Sequence, residues 1–304
     1  MWYTSNHIRT PSEGGEAALL GTTCHEALEM FIQEGYHLPD PGRMISTGEL
    51  LSDLFETAYH NNFPHDGMFA TGRKMLMNWL QRSGPDYWYG RQVMSTEVKE
   101  SFALVLGRDP LTTVVPFNFI WDRCDKIHAY QDQVDRYTYD IEVIDYKSWI
   151  QPRSVDEVRR MTQTQAYALA AHLKYPEAEN IWVTMDMLRY DQASVRFTRE
   201  ECEAALRKFT RMAIKIEEGL AAVAITDGTN EDILQFFPET LGDGCRYCPR
   251  QAVCDTPNKT TESRGVLATG DGDKIARAAW EARFRLKGVQ AQADALENWP
   301  RTEA

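Results

Sequence analysis

Between residues 137 and 188 the chain runs strand, helix, strand, and that order limits what it can fold into. Tyr137 to Tyr146 and Ile181 to Leu188 are dense in β-branched, aromatic and aliphatic residues, the chemistry of strands in a sheet. Val155 to Leu173, between them, reads as helix. Elements alternating in this way point to an α/β protein with a mixed sheet flanked by helices. Val93 to Leu106 and Thr112 to Trp121 carry the same strand chemistry.

Helical spacing dominates on either side. From about Gly21 to Leu80, apolar residues recur at Leu28, Phe31, Ile32, Leu50, Leu51, Leu54, Phe55, Leu76 and Leu80. Pro39-Asp40-Pro41-Gly42 and Asn61-Asn62-Phe63-Pro64 interrupt this region. Glu200 to Leu220 forms an amphipathic helix, with Cys202, Leu206, Phe209, Ala213, Ile216 and Leu220 on one face. A cysteine segment, Cys245 to Cys254, follows, then a polar stretch from Thr256 to Asp273 and a helical tail from Lys274 to Trp299. The expected division is an N-terminal helical part over 1–90, an α/β core over 91–235, a cysteine segment over 236–256, and a linker with helical tail over 257–304. A chain of 304 residues suits one large domain with such appendages.

No apolar run approaches the length that spans a bilayer. Met1-Trp2-Tyr3-Thr4 does not open a secretory signal, so a cytoplasmic setting is expected, and six cysteines there are ligands or core residues rather than disulfides. The net charge of −12 argues against bulk attraction to nucleic acid, because phosphate binding runs on clustered Lys and Arg. It leaves room for a local basic track, and acidic side chains are what hold cations.

The most informative segment is Asp140-Ile141-Glu142-Val143-Ile144-Asp145-Tyr146-Lys147. Residues two apart on a strand share a face, so Asp145 and Lys147 project together. A carboxylate that holds Mg²⁺ or Mn²⁺, beside an ammonium that orients water or steadies charge on phosphorus, suits phosphodiester hydrolysis. The bland alternative is an exposed ion pair at a strand end. Upstream, Asp122 ends an apolar strand, where a carboxylate needs a cation or a partner. There the alternative is a surface pair, Asp122 with Arg123 or Asp125 with Lys126. His25 lies at the start of the first helix, and imidazole ligates divalent ions; a capping or core histidine is the other reading. Glu29 shares the His25 face and could orient it. Gln163 and Tyr167, four apart on a helix, share a face from which an amide and a phenol could meet a phosphate or base edge. Glu97 is a further acidic position in a strand, more simply read as a solvated glutamate.

Gly21-x-x-x-His25, then Asp122-Arg123-x-Asp125, then Asp145-x-Lys147, then Gln163-x-x-x-Tyr167, in this order, resembles the PD-(D/E)XK nuclease superfamily, in its RecB-like branch. The resemblance covers Gly21 to about Leu188. It implies a restriction-endonuclease-like fold in which His25, Asp122, Asp145 and the backbone carbonyl of Tyr146 ligate Mg²⁺ or Mn²⁺. Lys147 then serves catalysis, and Gln163 and Tyr167 line the DNA path. Phe119 and Ile120 stand where the family usually has a glycine.

Cys245, Cys248 and Cys254 give Cys-x2-Cys-x5-Cys, close enough in sequence to meet on one metal centre. The spacing resembles the iron–sulfur modules of AddB-type helicase–nucleases and Cas-four-type exonucleases, which implies a structural [4Fe–4S] cluster. Cys24 is the candidate fourth ligand. Zn²⁺ completed by a histidine or water, or free cysteines, are the alternatives. Cys124 and Cys202 read as core residues.

The leading expectation is a metal-dependent DNA exonuclease of recombination, repair or phage DNA metabolism, in the host cytoplasm if phage-encoded. It would act with or without a helicase or annealing protein, in an oligomeric state the sequence leaves open. Arg153, Arg159 and Arg160 could track the DNA backbone, or form a solvated helix face. Two other readings stand beside it: a catalytically inactive DNA-binding subunit of a recombination complex, and a zinc-stapled interaction protein.

Overall fold

The computed structural model describes residues 15–40, 42–63, 65–106, 113–128, 138–227 and 229–238. The cysteine segment and the tail, with Cys245, Cys248 and Cys254, lie outside them. Gly14–Lys215 forms one compact unit. It opens with three helices, α1 (Glu16–Gln33), α2 (Thr47–Asn62) and α3 (Phe69–Arg82), and a single turn, α4 (Pro85–Trp88). Ser46 caps α2 in a reciprocal box with Glu49, which explains a start clear of the Pro39–Gly42 break.

Seven strands follow: β1 (Arg91–Thr96), β2 (Lys99–Leu106), β3 (Thr113–Ile120), β4 (Arg123–His128), β5 (Tyr139–Lys147), β6 (Ile181–Met187) and β7 (Gln192–Phe197). Five make one sheet in the order β1-β4-β5-β6-β7; β2 and β3 pair separately as a hairpin. Only β5 and β6 run parallel, joined over the sheet by α5 (Val155–Arg160) and α6 (Thr162–Lys174). The mixed α/β sheet flanked by helices is therefore as the sequence indicates.

Two segments differ from the sequence reading. Val93 to Leu106 is not one strand. It breaks at Glu97, whose φ of +49° turns the chain out of the main sheet and into the hairpin. Val155 to Leu173 is two helices, because Met161 is extended (ψ 137°) and Thr164 Oγ1 bonds back to the carbonyls of Val158 and Met161. That kink redirects α6 toward the end of β5.

The two faces of the sheet have opposite characters. Ile141, Val143, Val183, Met185 and Val195 pack under α5 and α6 as an apolar layer, with Cys124 and Cys202 among them as expected. On the other face, Ile144 and Tyr146 meet the core of α1–α3, built from residues such as Leu28, Phe31, Phe55 and Trp79. Here too lies a buried ionic lattice. Arg123 and Asp125, for which surface pairing was the alternative reading, are fully buried and ion-paired at 3.1 Å. Arg91 joins Asp125 and Glu142, and Glu142 accepts from Thr184. Five strand residues thus pair with one another in the protein interior.

Helix α7 (Arg199–Ala224) begins in this unit, where Ala205 and Phe209 pack with Leu104, Leu106 and Leu169. The described residues from Ile216 onward belong to a second unit. Its described part includes α8 (Asn230–Phe236), capped by Thr229 and Asp232, and Gly219, where a Cβ would fall 2.7 Å from the Phe237 ring.

Candidate active site

Alternation along β5 puts Asp145 and Lys147 on the α6 side of the sheet and Tyr146 on the other. The side chains of Asp145 and Lys147 form an ion pair, the shared face anticipated from Asp-x-Lys. Asp145 is buried. Its Oδ1 accepts from Gln163 Nε2 at 3.1 Å and lies 3.0 Å from the Tyr167 hydroxyl. Tyr167 has one proton to share between that oxygen and the Ile120 carbonyl at 2.8 Å, while Gln163 Nε2 also reaches its hydroxyl at 2.9 Å. Tyr167, expected along a DNA path, is buried, and its phenol is held above its usual range by burial and then by Asp145.

His25 arrives from α1. Gly21, one turn earlier on the same face, lets the helix approach the end of β5: a Cβ there would lie 2.8 Å from Ser148 Oγ. That contact gives the Gly-x-x-x-His spacing a steric meaning. His25 Nε2 lies 2.8 Å from the Tyr146 carbonyl oxygen. A carbonyl only accepts, so Nε2 carries the hydrogen and Nδ1 faces the acids. Tyr146 is thus the orienting partner; Glu29, which could have filled that role or been an ordinary surface glutamate, accepts from Gln33 instead.

Asp122 sits in the bend between β3 and β4. Its Oδ2 accepts the Tyr146 N–H at 2.5 Å and lies 3.4 Å from His25 Nδ1. Its carbonyl accepts the Glu97 N–H at 3.1 Å, and Glu97 Oε1 comes within 3.8 Å of the same imidazole nitrogen. His25, Glu97 and Asp122 each offer a ligand atom, all within 4.8 Å of one another. Glu97 carries little weight as a sequence signal, because strand glutamates are commonly just solvated. Only its turn at positive φ brings it here, although its acidic character within a strand-forming run was the available signal.

The electrostatics are those of a site built around positive charge. Burial raises the Asp122 carboxyl to about 7, helped by Asp145 and Glu97 against the pull of His25 and the Tyr146 N–H. Burial opposes the His25 imidazolium too, but Glu97, Asp122 and Asp145 together outweigh burial and Lys147, so its pKa is raised. Among these groups, Asp145 Oδ2 is buried and its one partner is the Lys147 ammonium.

The family model of the PD-(D/E)XK nuclease superfamily matches residues 1–255. The chain belongs to the PD-(D/E)XK nuclease superfamily. No curated protein shows a significant match. Nucleases of this superfamily typically use Mg²⁺ or Mn²⁺, and the residues present fit a hard divalent ion. Two carboxylates and an imidazole nitrogen converge, with the buried Asp145 carboxylate beside them, and the crowding of acids raises both the Asp122 and the His25 pKa, the electrostatics that a cation would relieve. In this PD-(D/E)XK site the Tyr146 carbonyl, expected as a ligand, accepts from His25. Cys24 sits in the helical core beneath His25, and burial pushes its thiol up to about 12, the setting of a packed cysteine. Among the described residues, no helix is long and apolar enough to cross a membrane.

Proposed function

We propose that this nuclease is a metal-dependent DNA exonuclease of the RecB-like type. The observation that carries the reading is the convergence of His25, Asp122 and Glu97 beside the Asp145–Lys147 pair, at the end of one strand. His25 Nδ1, Glu97, Asp122 and Asp145 would hold Mg²⁺ or Mn²⁺, and such an ion would supply Lewis-acid chemistry to a phosphoryl oxygen and lower the pKa of water.

The chain's own groups supply the rest. Gln163 and Tyr167 fix the Asp145 carboxylate through Oδ1, leaving Oδ2 toward Lys147. The Lys147 ammonium neutralises charge building on the phosphoryl oxygens as water attacks and the bond to the 3′ oxygen breaks. The peptide group of Tyr146 spaces Asp122 and His25 by donating to one and accepting from the other. In the same reading, Cys245, Cys248 and Cys254 carry a [4Fe–4S] cluster; iron, sulfide and zinc analysis of anaerobically purified protein tests that separately.

The deciding experiment incubates end-labelled single- and double-stranded DNA with Mn²⁺ or Mg²⁺, wild type beside Lys147→Ala. Metal-dependent mononucleotide or short-oligonucleotide release from ends, lost in the variant, supports the proposal. Internal cuts in circular DNA would overturn the exonuclease assignment, and intact substrates with both proteins would overturn catalysis altogether.

A further inference from the structure

Beyond Lys147, two loops form a rim that the chemistry above does not use. One joins β5 to α5 (148–154); the other is the β6–β7 turn (188–191). They are tied together firmly. The Tyr190 hydroxyl donates to the Ile150 carbonyl, Arg189 Nε donates to the Ser148 carbonyl at 3.1 Å, and the Leu188 N–H donates to the Lys147 carbonyl at 2.9 Å. Arg82 also donates to the Tyr190 carbonyl at 2.5 Å.

This fixed rim presents apolar and cationic groups outward. Ile150 is 73% exposed and Tyr190 39%. Trp149, half-buried against the sheet's apolar layer, has Lys147 Nζ and the Arg153 guanidinium carbon each 5.9 Å from its ring centroid. Arg153 is itself half-exposed, paired only at the surface with Glu157. One exposed isoleucine is ordinary. An exposed isoleucine flanked by two aromatic rings and cations, on braced loops adjoining the candidate catalytic lysine, matches a specific ligand chemistry.

That chemistry is single-stranded DNA. In a duplex the base faces are stacked on one another and only phosphates and groove edges are offered. An unpaired strand offers ring faces for aromatic and aliphatic side chains, with phosphates between them for arginines. The chain's charge of −12 makes a local cationic rim the more selective for such a ligand.

We propose that Trp149, Ile150, Arg153 and Tyr190 form a binding rim for single-stranded DNA, which feeds an unpaired end to Lys147. Bases pack on Trp149, Ile150 and Tyr190, and Arg153 takes a phosphate. The proposal rests on the nuclease reading for what lies beside the rim, and it names the form of DNA that the site receives.

The test is fluorescence anisotropy of the full chain in EDTA, with labelled oligothymidine and with a blunt hairpin duplex as probes. Melting temperatures are taken in parallel to confirm folding. Ile150→Ser and Trp149→Leu are expected to weaken oligothymidine binding about tenfold each and leave the hairpin within about twofold. Arg153→Ala is expected to reduce the salt slope for oligothymidine by about 0.7. Unchanged oligothymidine binding in folded variants overturns the proposal, and so does equal weakening on both probes, which would make the rim a general backbone contact. Wild type that cuts DNA in Mn²⁺ while the rim variants bind normally sinks the rim alone. Wild type that binds neither probe sinks the rim and the DNA reading together, whereas binding with rim-dependent preference but no cleavage leaves the rim standing and removes the catalysis.

Discussion

The metal-free site should make the protein less stable as pH rises toward neutrality, and Asp122 is the perturbation that isolates it. Its carboxyl is raised from the ordinary 3.8 to about 7, chiefly by burial. An acid with a raised folded pKa imposes nothing below its unfolded value. Its penalty grows as pH climbs from there to the folded value, because the native state keeps a proton that the unfolded chain has released. His25, also raised, acts in the same direction above 6.5, since its stabilisation disappears as pH rises through the folded value. Between about pH 5 and pH 7 roughly one extra proton is held, so stability falls by about 1.4 kcal/mol per pH unit, about 2–3 kcal/mol in all. For a folded unit of this size that is about 5–10 °C in melting temperature. Thermal melts in EDTA across this range, with wild type beside Asp122→Asn, measure the term as a difference of slopes, so titration elsewhere in the molecule cancels. Adding Mn²⁺ should raise the wild-type melting temperature by an amount that grows with pH, because ion and proton compete for the same oxygens. Parallel slopes for wild type and Asp122→Asn in EDTA would refute the reasoning.

Three further outcomes follow from packing and hydrogen bonding. Tyr146→Phe removes the hydroxyl that accepts from buried Arg123 Nη1 at 2.9 Å, so urea denaturation should show a loss of about 1–3 kcal/mol; no loss would mean that water or Tyr87 satisfies the guanidinium. Tyr167→Phe combined with Gln163→Ala strips both donors from Asp145 Oδ1, and Mn²⁺ binding followed by electron paramagnetic resonance should weaken about 10–100-fold; an unaltered titration would detach these residues from the metal centre. Gly72→Ala places a Cβ 2.3 Å from Phe55 Cζ and 2.9 Å from Leu20 Cδ1. Overpacking should outweigh the helix-propensity gain and destabilise by about 1–3 kcal/mol, read by thermal melting, and a more stable variant would show that α1–α3 repack freely.

How far the sequence reached depended on the range of the interaction involved. Asp145 and Lys147 were legible as a pair because strand alternation is local and strict. Gln163 and Tyr167 were legible as neighbours for the same reason on a helix, but their shared target, Asp145, required the Met161 kink, which nothing in the apolar spacing announces. Glu97 was the hardest. Its place beside His25 depends on a positive φ in the middle of a run of strand formers, and on the main sheet giving way there to a hairpin. Arg123 and Asp125 misled in the opposite sense: charged residues usually face water, and their burial becomes reasonable only once Arg91, Tyr87, Glu142 and Tyr146 from distant segments surround them.

Tyr146 carries a lesson about what mutational scans can detect. The services it renders to Asp122 and His25 come from its peptide N–H and carbonyl, so every amino acid except proline can render them. The middle position of Asp-x-Lys therefore answers to core packing and to the hydroxyl's bond with Arg123, not to the metal centre. An alanine survey would score this position as structural and overlook a main-chain contribution that no side-chain replacement can erase.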